Sequence, residues 1–199
     1  RVSTLYTRTS KHREKNLKEW ETKDDILTLG ILGGIDGNRK DYNILIKLIK
    51  ENSLKLKLIF LGRFYKGIST DVIEKFIKID ANIVYNKKKE GVISENDFLE
   101  LGNQCDLLVS LNLVNHSDLS YGKYKGSGSF GDAILLNKHL VVPSLTDRTK
   151  EFQSFSSYYD NYDDFVQIIK KASTEKPNSD FSEFFSKRVF LNIEKDLLL

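Results

Sequence analysis

The stretch GSGSFGDAILLNKHLVVP, residues 126–143, joins a glycine-rich turn to a helix and then to an apolar strand. The letters FGDAILLN predict the helix, and KHLVVP is typical of a short buried strand. Glycines let a backbone approach a ligand closely, and the amides at a helix start favour an anion. We therefore expect the amides of Ser129, Phe130 and Gly131 to face a phosphate or diphosphate. Tight packing of this helix on a sheet is the alternative.

The same alternation of strand and helix extends outward from this stretch. Further runs of strand length lie at residues 25–34, 54–62, 82–86 and 105–111, with helical patterns between them and at 161–173 and 179–199. Asn38 is the expected N-cap of the first helix, and Ser94 with Asp97 forms a capping box at another. Short apolar runs of this kind are typical of parallel strands that are covered on both faces. The sequence thus predicts an α/β fold with a doubly wound, Rossmann-like parallel sheet.

The glycine turn also matches the spacing of a dinucleotide-binding fingerprint. Gly126, Gly128 and Gly131 fit Gly-x-Gly-x-x-Gly, and Asp147 falls where a ribose-binding acid could lie. That fingerprint should follow a strand at once and open the first βαβ unit. Here it comes late, after the polar and aromatic LSYGKYK. The context argues against a nicotinamide site, and no cofactor is expected.

Composition narrows the class of function. The 199 residues are 40% hydrophobic and 30% charged, with a net charge of +3 and scattered basic residues, which argues against a nucleic-acid interface. Cys105 is the single cysteine, so we expect a packed thiol and a reducing, cytoplasmic compartment. His12, His116 and His139 lack the spacing of metal ligands, so no metal site is expected. No apolar run approaches the length of a membrane-spanning helix.

The chain divides into two parts by composition. Residues 1–25 are polar and mixed in charge, which predicts an arm or an interdomain linker, and residues 26–199 form the predicted domain. The chain starts at an arginine and contains no methionine, so we expect a fragment of a longer protein. The apolar stripe of the predicted last helix is expected to pack on the missing part.

Several stretches together resemble one known family. They are LGILGGIDGNRKDYNILIKLI, LKLIFLGRF, QCDLLVSL and GSGSFGDAILLNKHLVVP, which follow one another in the family's order within about residues 26–172. They resemble the C-terminal, donor-binding domain of GT-B glycosyltransferases of the group 1, family 4-like type. The resemblance implies a nucleotide-diphosphate sugar as donor, UDP- or GDP-linked, and transfer without a metal ion. It also implies a glycan or lipid-linked acceptor, held by a separate N-terminal domain.

The resemblance assigns roles to particular residues. Arg39 and Lys40 match the family's basic positions and are expected to neutralise the leaving diphosphate; a solvated helix start is the alternative for this pair. Asp132 matches the acid that binds ribose hydroxyls, although it could instead stabilise the helix dipole. The base is expected near Tyr85 and Asn86. The remaining donor-binding positions are Gly34, Gly128, Ser129, Phe130 and Gly131.

One departure from the family leaves the stereochemistry open. Many retaining members carry an acid eight residues before the ribose acid, where this chain has Tyr124. The favoured function is sugar transfer in bacterial surface polysaccharide synthesis, in the cytoplasm or at the inner face of the membrane. A nucleotide-sugar epimerase on the same scaffold and a non-catalytic α/β interaction domain remain as alternatives. We expect this chain alone to bind nucleotide but to turn over poorly.

Overall fold

A six-stranded parallel sheet forms the centre of the structure, a computed structural model that describes residues 26–86, 91–114 and 127–184. The strand order is β3-β2-β1-β4-β5-β6. The strands are β1 Leu27–Leu32, β2 Leu56–Leu61, β3 Asn82–Val84, β4 Leu107–Val109, β5 Leu140–Pro143 and β6 Ser156–Tyr159. The described residues also form the helices α1 Asn43–Glu51, α2 Ile68–Ile77, α3 Glu95–Asn103, α4 Gly128–Leu136 and α5 Tyr162–Thr174. The predicted doubly wound, Rossmann-like α/β fold is confirmed.

The strands with continuous apolar sequence occupy the middle of the sheet. β1 reads LTLGIL and β4 reads LLV, and both are almost entirely buried because the sheet is covered on both faces. Gly30 permits close packing in β1, since a Cβ there would lie 2.7 Å from Leu108 Cδ2 and 2.8 Å from Cys105 Sγ. Cys105 is fully buried, and burial raises the pKa of its thiol to about 12. The prediction of a packed thiol is therefore confirmed.

Each face of the sheet has its own hydrophobic core. Leu45 of α1, Phe76 of α2 and Phe165 of α5 belong to the core on one face. Phe98 of α3 and Phe130 of α4 belong to the core on the other face. Because helices cover both faces, the loops that follow the strands are the part of the fold best placed to meet a ligand.

The structure differs from the sequence prediction at β6 and at the start of α1, and it agrees with the prediction at the start of α3. β6 was not predicted, because its sequence SSYY lacks an apolar run, yet it pairs in parallel with β5. Asn38 does not cap α1: the helix begins at Asn43, and the Asn38 amide instead donates to Asp36 Oδ1 at 2.9 Å in a turn. Ser94 does cap α3, because its hydroxyl accepts a hydrogen bond from the Asp97 amide at 3.1 Å.

Some predictions fall on residues that the structure does not describe. These are the arm at residues 1–25 and the part of the last helix beyond residue 184, together with Gly126, Tyr124, His12 and His116. The described start of that last segment is a short 3-10 helix, Ser182–Phe184. His139 is described: it lies immediately before β5 and is buried, and its two ring nitrogens hydrogen bond with Ser179 and Ser157.

Candidate functional site

A cleft of about 260 Å³ opens beyond the carboxyl ends of β1 and β4. These strands are neighbours in the sheet but not in the chain, so the direction of winding reverses between them. Open α/β sheets bind ligands in the crevice at such a switch point. The cleft is lined by Gly33, Gly34, Asp36, Arg39, Lys40, Tyr65, Asn112, Ser127, Gly128, Ser129 and Asp132.

The loop after β1 is held close to the end of β2. Gly33 has a positive φ of 78°, which favours glycine. A Cβ on Gly62 would lie 1.8 Å from the Gly33 carbonyl oxygen, so only a glycine at position 62 lets these backbones meet. The buried Ser69 hydroxyl donates to the Ile35 carbonyl at 2.6 Å and accepts from the Tyr65 amide at 2.8 Å. The first wall of the cleft is thus fixed by backbone contacts.

Lys40 brings a buried ammonium group to this wall. The residue is 7% exposed, and its Nζ donates to the Leu32 carbonyl oxygen at 2.8 Å and to Asn112 Oδ1 at 3.2 Å. Burial is the main cause, and the nearby positive charge of Arg39 the second, of a Lys40 pKa that is lowered to about 8. An ammonium with such a pKa is still mostly protonated at pH 7. The buried cation is therefore weakly solvated and ready to gain from an anion.

Arg39 lines the same cleft in a different environment. Its side chain is exposed, and it makes no hydrogen bond or ion pair with the residues that the structure describes. The sequence suggested that Arg39 and Lys40 stand at a helix start. Instead, both precede α1 in a turn that ends in a bridge to the loop after β4. Lys40 therefore lies in the wall of the cleft and Arg39 at its rim.

The second wall is the start of α4, which Ser127 caps. The Ser127 hydroxyl accepts from the Ser129 amide at 3.3 Å, and the Ser127 carbonyl accepts from the Phe130 amide at 3.3 Å. In this structure the Ser129 and Phe130 amides, which were expected to face a phosphate, thus donate to Ser127, and their contact with a phosphate stays a prediction. The Ser129 hydroxyl donates to Ser110 Oγ at 3.1 Å inside the protein.

Only part of the predicted glycine turn reaches the cleft. Gly128, Ser129 and Asp132 line it, whereas Phe130 and Gly131 are buried and do not. Phe130 is 3% exposed and its ring stacks on Phe152 with centroids 4.1 Å apart. The side chain of Phe130 thus belongs to the core, as the packing alternative for this helix expected.

Tyr85 and Asn86, the expected base contacts, lie apart from the cleft. They follow β3, which is separated from β1 by β2, and neither lines the cleft. The Tyr85 ring is partly exposed and stacks on Phe64 with centroids 6.1 Å apart. The structure therefore does not bring these two residues together with Arg39 and Lys40.

Asn112 is a cleft residue that the sequence did not single out. Its Oδ1 accepts from Lys40, and its Nδ2 donates to Ser127 Oγ at 3.4 Å, so it spans the gap between the two walls. Two backbone hydrogen bonds surround it: the Asp41 amide donates to the Leu111 carbonyl, and the Leu113 amide donates to the Arg39 carbonyl, each at 2.9 Å. Asp36, Tyr65 and Ser127 were also missed as lining residues, because nothing local in the sequence signals these contacts.

Asp147, the acid considered for a dinucleotide ribose, is fully engaged elsewhere. It is 4% exposed and accepts from the Glu151 and Phe152 amides, at 3.2 and 3.1 Å, and from the Tyr158 hydroxyl at 2.5 Å. These bonds close the loop between β5 and β6. Asp147 is thus a structural residue in this loop.

Within residues 26–86, 91–114 and 127–184, no group of three or more His, Cys, Asp or Glu residues is arranged to hold a metal ion. Across those same ranges, the helices are too short or too polar to cross a bilayer.

Comparison with known proteins adds evidence from the fold. No protein-family model and no curated protein matches this sequence. Anabaena HepE in complex with UDP and glucose superposes with a TM-score of 0.60 at 13% identity, over 87% of this chain and 48% of that chain. The catalytic domain of the Helicobacter pylori cholesterol-α-glucosyltransferase superposes with a TM-score of 0.51 at 15% identity, over 86% and 98%. The chain therefore has a GT-B-type fold, with the parallel α/β sheet of these domains.

This fold does not by itself separate the two enzyme activities considered above. A putative UDP-N-acetylglucosamine 2-epimerase from Listeria monocytogenes superposes on the GT-B-type domain with a TM-score of 0.51 at 11% identity, over 87% of this chain and 46% of that chain. The chain spans about half the length of HepE and of this epimerase. Only the side chains of the cleft can therefore distinguish between glycosyl transfer and epimerisation.

Proposed function

We propose that this chain is the donor-binding domain of a glycosyltransferase and binds a nucleotide-diphosphate sugar, UDP- or GDP-linked, in the cleft between β1 and β4. The observation that supports this most directly is the buried ammonium of Lys40. It lies in the cleft wall at the switch point, with Arg39 at the rim and the start of α4 opposite. A buried cation is costly unless it is paired, and a diphosphate supplies the pair.

The proposed chemistry uses these cations to stabilise the leaving group. In glycosyl transfer, the bond between the anomeric carbon and the diphosphate oxygen breaks, and the nucleoside diphosphate leaves with the electron pair. The acceptor hydroxyl oxygen forms the new bond to the anomeric carbon, and its proton passes to the departing diphosphate or to water. Cations that are fixed where this negative charge develops lower the barrier, and they do so most in a site that excludes water. Lys40 acts as a point charge, whereas Arg39 can donate in a fork.

The other cleft residues are proposed to hold the rest of the donor. Asp132 is half-buried in the second wall, where its carboxylate can accept hydrogen bonds from two ribose hydroxyls. Gly34 and Gly128 line the cleft and leave room for the phosphates. Tyr85 lies two strands from β1, about 10 Å at ordinary strand spacing, so the base would extend toward the end of β3.

The acceptor side belongs to the part of the enzyme outside this chain. We propose a glycan or lipid-linked acceptor, held by an N-terminal domain, and a role in bacterial surface polysaccharide synthesis. The full enzyme would act in the cytoplasm or at the inner membrane face. The half-length match to HepE is what supports the two-domain arrangement.

Thermal unfolding with added nucleotides tests this function. A ligand that binds only the folded state at a hundredfold excess over its Kd stabilises it by about 2.7 kcal/mol. UDP or GDP should therefore raise the Tm of the wild type. The double variant Arg39→Ala, Lys40→Met should lose this rise, whereas Lys50→Ala, on the exposed side of α1, should keep it.

Two outcomes would reject the proposal. A wild type that responds to no nucleoside diphosphate would favour the non-catalytic interaction domain. A double variant that responds as the wild type does would place the diphosphate elsewhere. The epimerase alternative is tested on the longer protein, by following UDP-N-acetylglucosamine with NMR for a product of inverted configuration at the sugar in the absence of an acceptor.

A further inference from the structure

We propose that the Ser127 hydroxyl is a further anion-binding group of the cleft and that Asn112 is the positioning residue that aims it. This inference rests on the proposed function and deepens it, because it names a second donor to the diphosphate opposite Lys40. It is carried by the polarity of the hydrogen bonds that connect Lys40, Asn112 and Ser127.

The direction of these bonds is set at Lys40. A protonated lysine can only donate, so the atom of Asn112 that faces it must be the amide oxygen. The amide nitrogen of Asn112 then points to the other wall and donates to Ser127 Oγ. An aspartate at this position would accept from Lys40 equally well, but it could not donate to Ser127.

Ser127 receives two donors and therefore has its own proton to give. Its oxygen accepts from Asn112 Nδ2 at 3.4 Å and from the Ser129 amide at 3.3 Å. These bonds use both lone pairs of the hydroxyl. The remaining O–H has no acceptor among the residues that the structure describes, and Ser127 is half-exposed in the cleft lining. The Ser127 hydroxyl is thus oriented to donate a hydrogen bond to a ligand in the cleft.

Lys40, on the opposite wall of the cleft, also has an N–H bond left to donate. Its ammonium has three N–H bonds, and two of them go to the Leu32 carbonyl and to Asn112. The third has no acceptor within the described ranges, and the side chain lines the cleft. Two donors, one of them charged, therefore face one cleft from its two walls. This arrangement fits the oxygens of a diphosphate, which accept only, and it does not fit a cationic ligand.

Calorimetric titration with nucleotides tests the inference. The probes are UDP or GDP, whichever binds the wild type more tightly, and the matching nucleoside. Ser127→Ala should weaken binding of the diphosphate about tenfold, the loss typical of one hydrogen bond to a charged group, and should leave the nucleoside unchanged. Asn112→Asp should weaken diphosphate binding further. The new carboxylate would accept the hydrogen bond of the Ser127 hydroxyl and neutralise the charge of Lys40. Asn103→Asp, at the exposed end of α3, is the matched control.

The double variant separates positioning from general damage. If Asn112 acts through Ser127, then Asn112→Asp costs less affinity in the Ser127→Ala background than in the wild type. Circular dichroism checks folding, and Asn112→Ala replaces Asn112→Asp if the aspartate variant unfolds. A wild type that binds neither diphosphate rejects the proposed function itself. A wild type that binds, with Ser127→Ala equally tight or equally weakened toward the nucleoside, rejects only this inference.

Discussion

The pH dependence of stability should reveal the cost of burying the Lys40 ammonium. The pKa of Lys40 is about 8 in the folded protein, against an ordinary value of 10.5. Between these values the unfolded chain binds more protons than the folded one, so stability rises with pH through this window and the cost is fully present below about pH 8. A pKa difference of about 2.5 corresponds to about 3 kcal/mol, at about 1.4 kcal/mol for each pKa unit.

Lys40→Met provides the reference for this measurement. Methionine keeps an apolar, unbranched side chain of similar length but does not titrate. Other lysines, tyrosines and the thiol also titrate at high pH, but they contribute to both proteins and cancel in the difference. We expect the free energy of unfolding of the wild type, minus that of Lys40→Met, to increase by about 3 kcal/mol between pH 7 and pH 11. Urea denaturation at intervals of half a pH unit measures this difference.

A flat difference would refute the reasoning, because it would mean that the Lys40 ammonium is as well solvated in the folded protein as in the unfolded chain. A second arm of the experiment adds saturating UDP or GDP. A bound diphosphate places negative charge beside Lys40 and raises its pKa, so the increase with pH should shrink. Nucleotide binding at pH 9 should also take up protons, which calorimetry detects as a heat that depends on the buffer.

Three further changes test other parts of the structure. Gly62→Ala places a Cβ 1.8 Å from the Gly33 carbonyl oxygen, so we expect urea denaturation to show a free energy of unfolding lower by about 3 kcal/mol or more. The control is Gly128→Ala, whose Cβ would meet no atom within 4 Å, and an equally small loss in both variants would contradict this packing. Burial lowers the pKa of His139 from 6.5 to about 4, so the unfolded chain binds a proton that the folded protein does not between these pH values. From pH 6.5 to pH 4 the free energy of unfolding of the wild type should therefore fall by about 3 kcal/mol more than that of His139→Gln in urea denaturation, and equal losses would show a solvated ring. Asp132→Asn should weaken UDP or GDP about tenfold and pyrophosphate little; equal weakening would place Asp132 away from the ribose.

The sheet was predictable because its central strands are chemically unambiguous. The runs that became β1, β2, β4 and β5 are apolar, short and bounded by glycine or polar residues, so burial on both faces followed from composition. β6 was missed for the opposite reason. Its residues SSYY gain their strand conformation from hydrogen bonds to β5, and Tyr159 is buried by packing against Phe165 rather than by any local pattern.

The site was only partly predictable, and the limit is the separation of its partners along the chain. The resemblance identified Arg39 and Lys40, but not that Lys40 would be buried while Arg39 stays exposed. One of the two hydrogen-bond partners of the buried Lys40 ammonium is Asn112, which lies 72 residues away along the chain. The role of Ser127 was not predicted either. A serine before a helix predicts an N-cap, and only the hydrogen bond from Asn112 indicates that the Ser127 O–H is left to donate to a ligand.

The bridge between residue 40 and residue 112 has a consequence for how the cleft can change during evolution. The two backbone hydrogen bonds around it join the segment after β1 to the segment after β4. The spacing between the loop after β1 and the loop after β4 is therefore set by the polypeptide itself and not by a bound ligand. Side chains along either wall can be exchanged to select a different sugar or base without altering that spacing, so one frame can serve a succession of substrates.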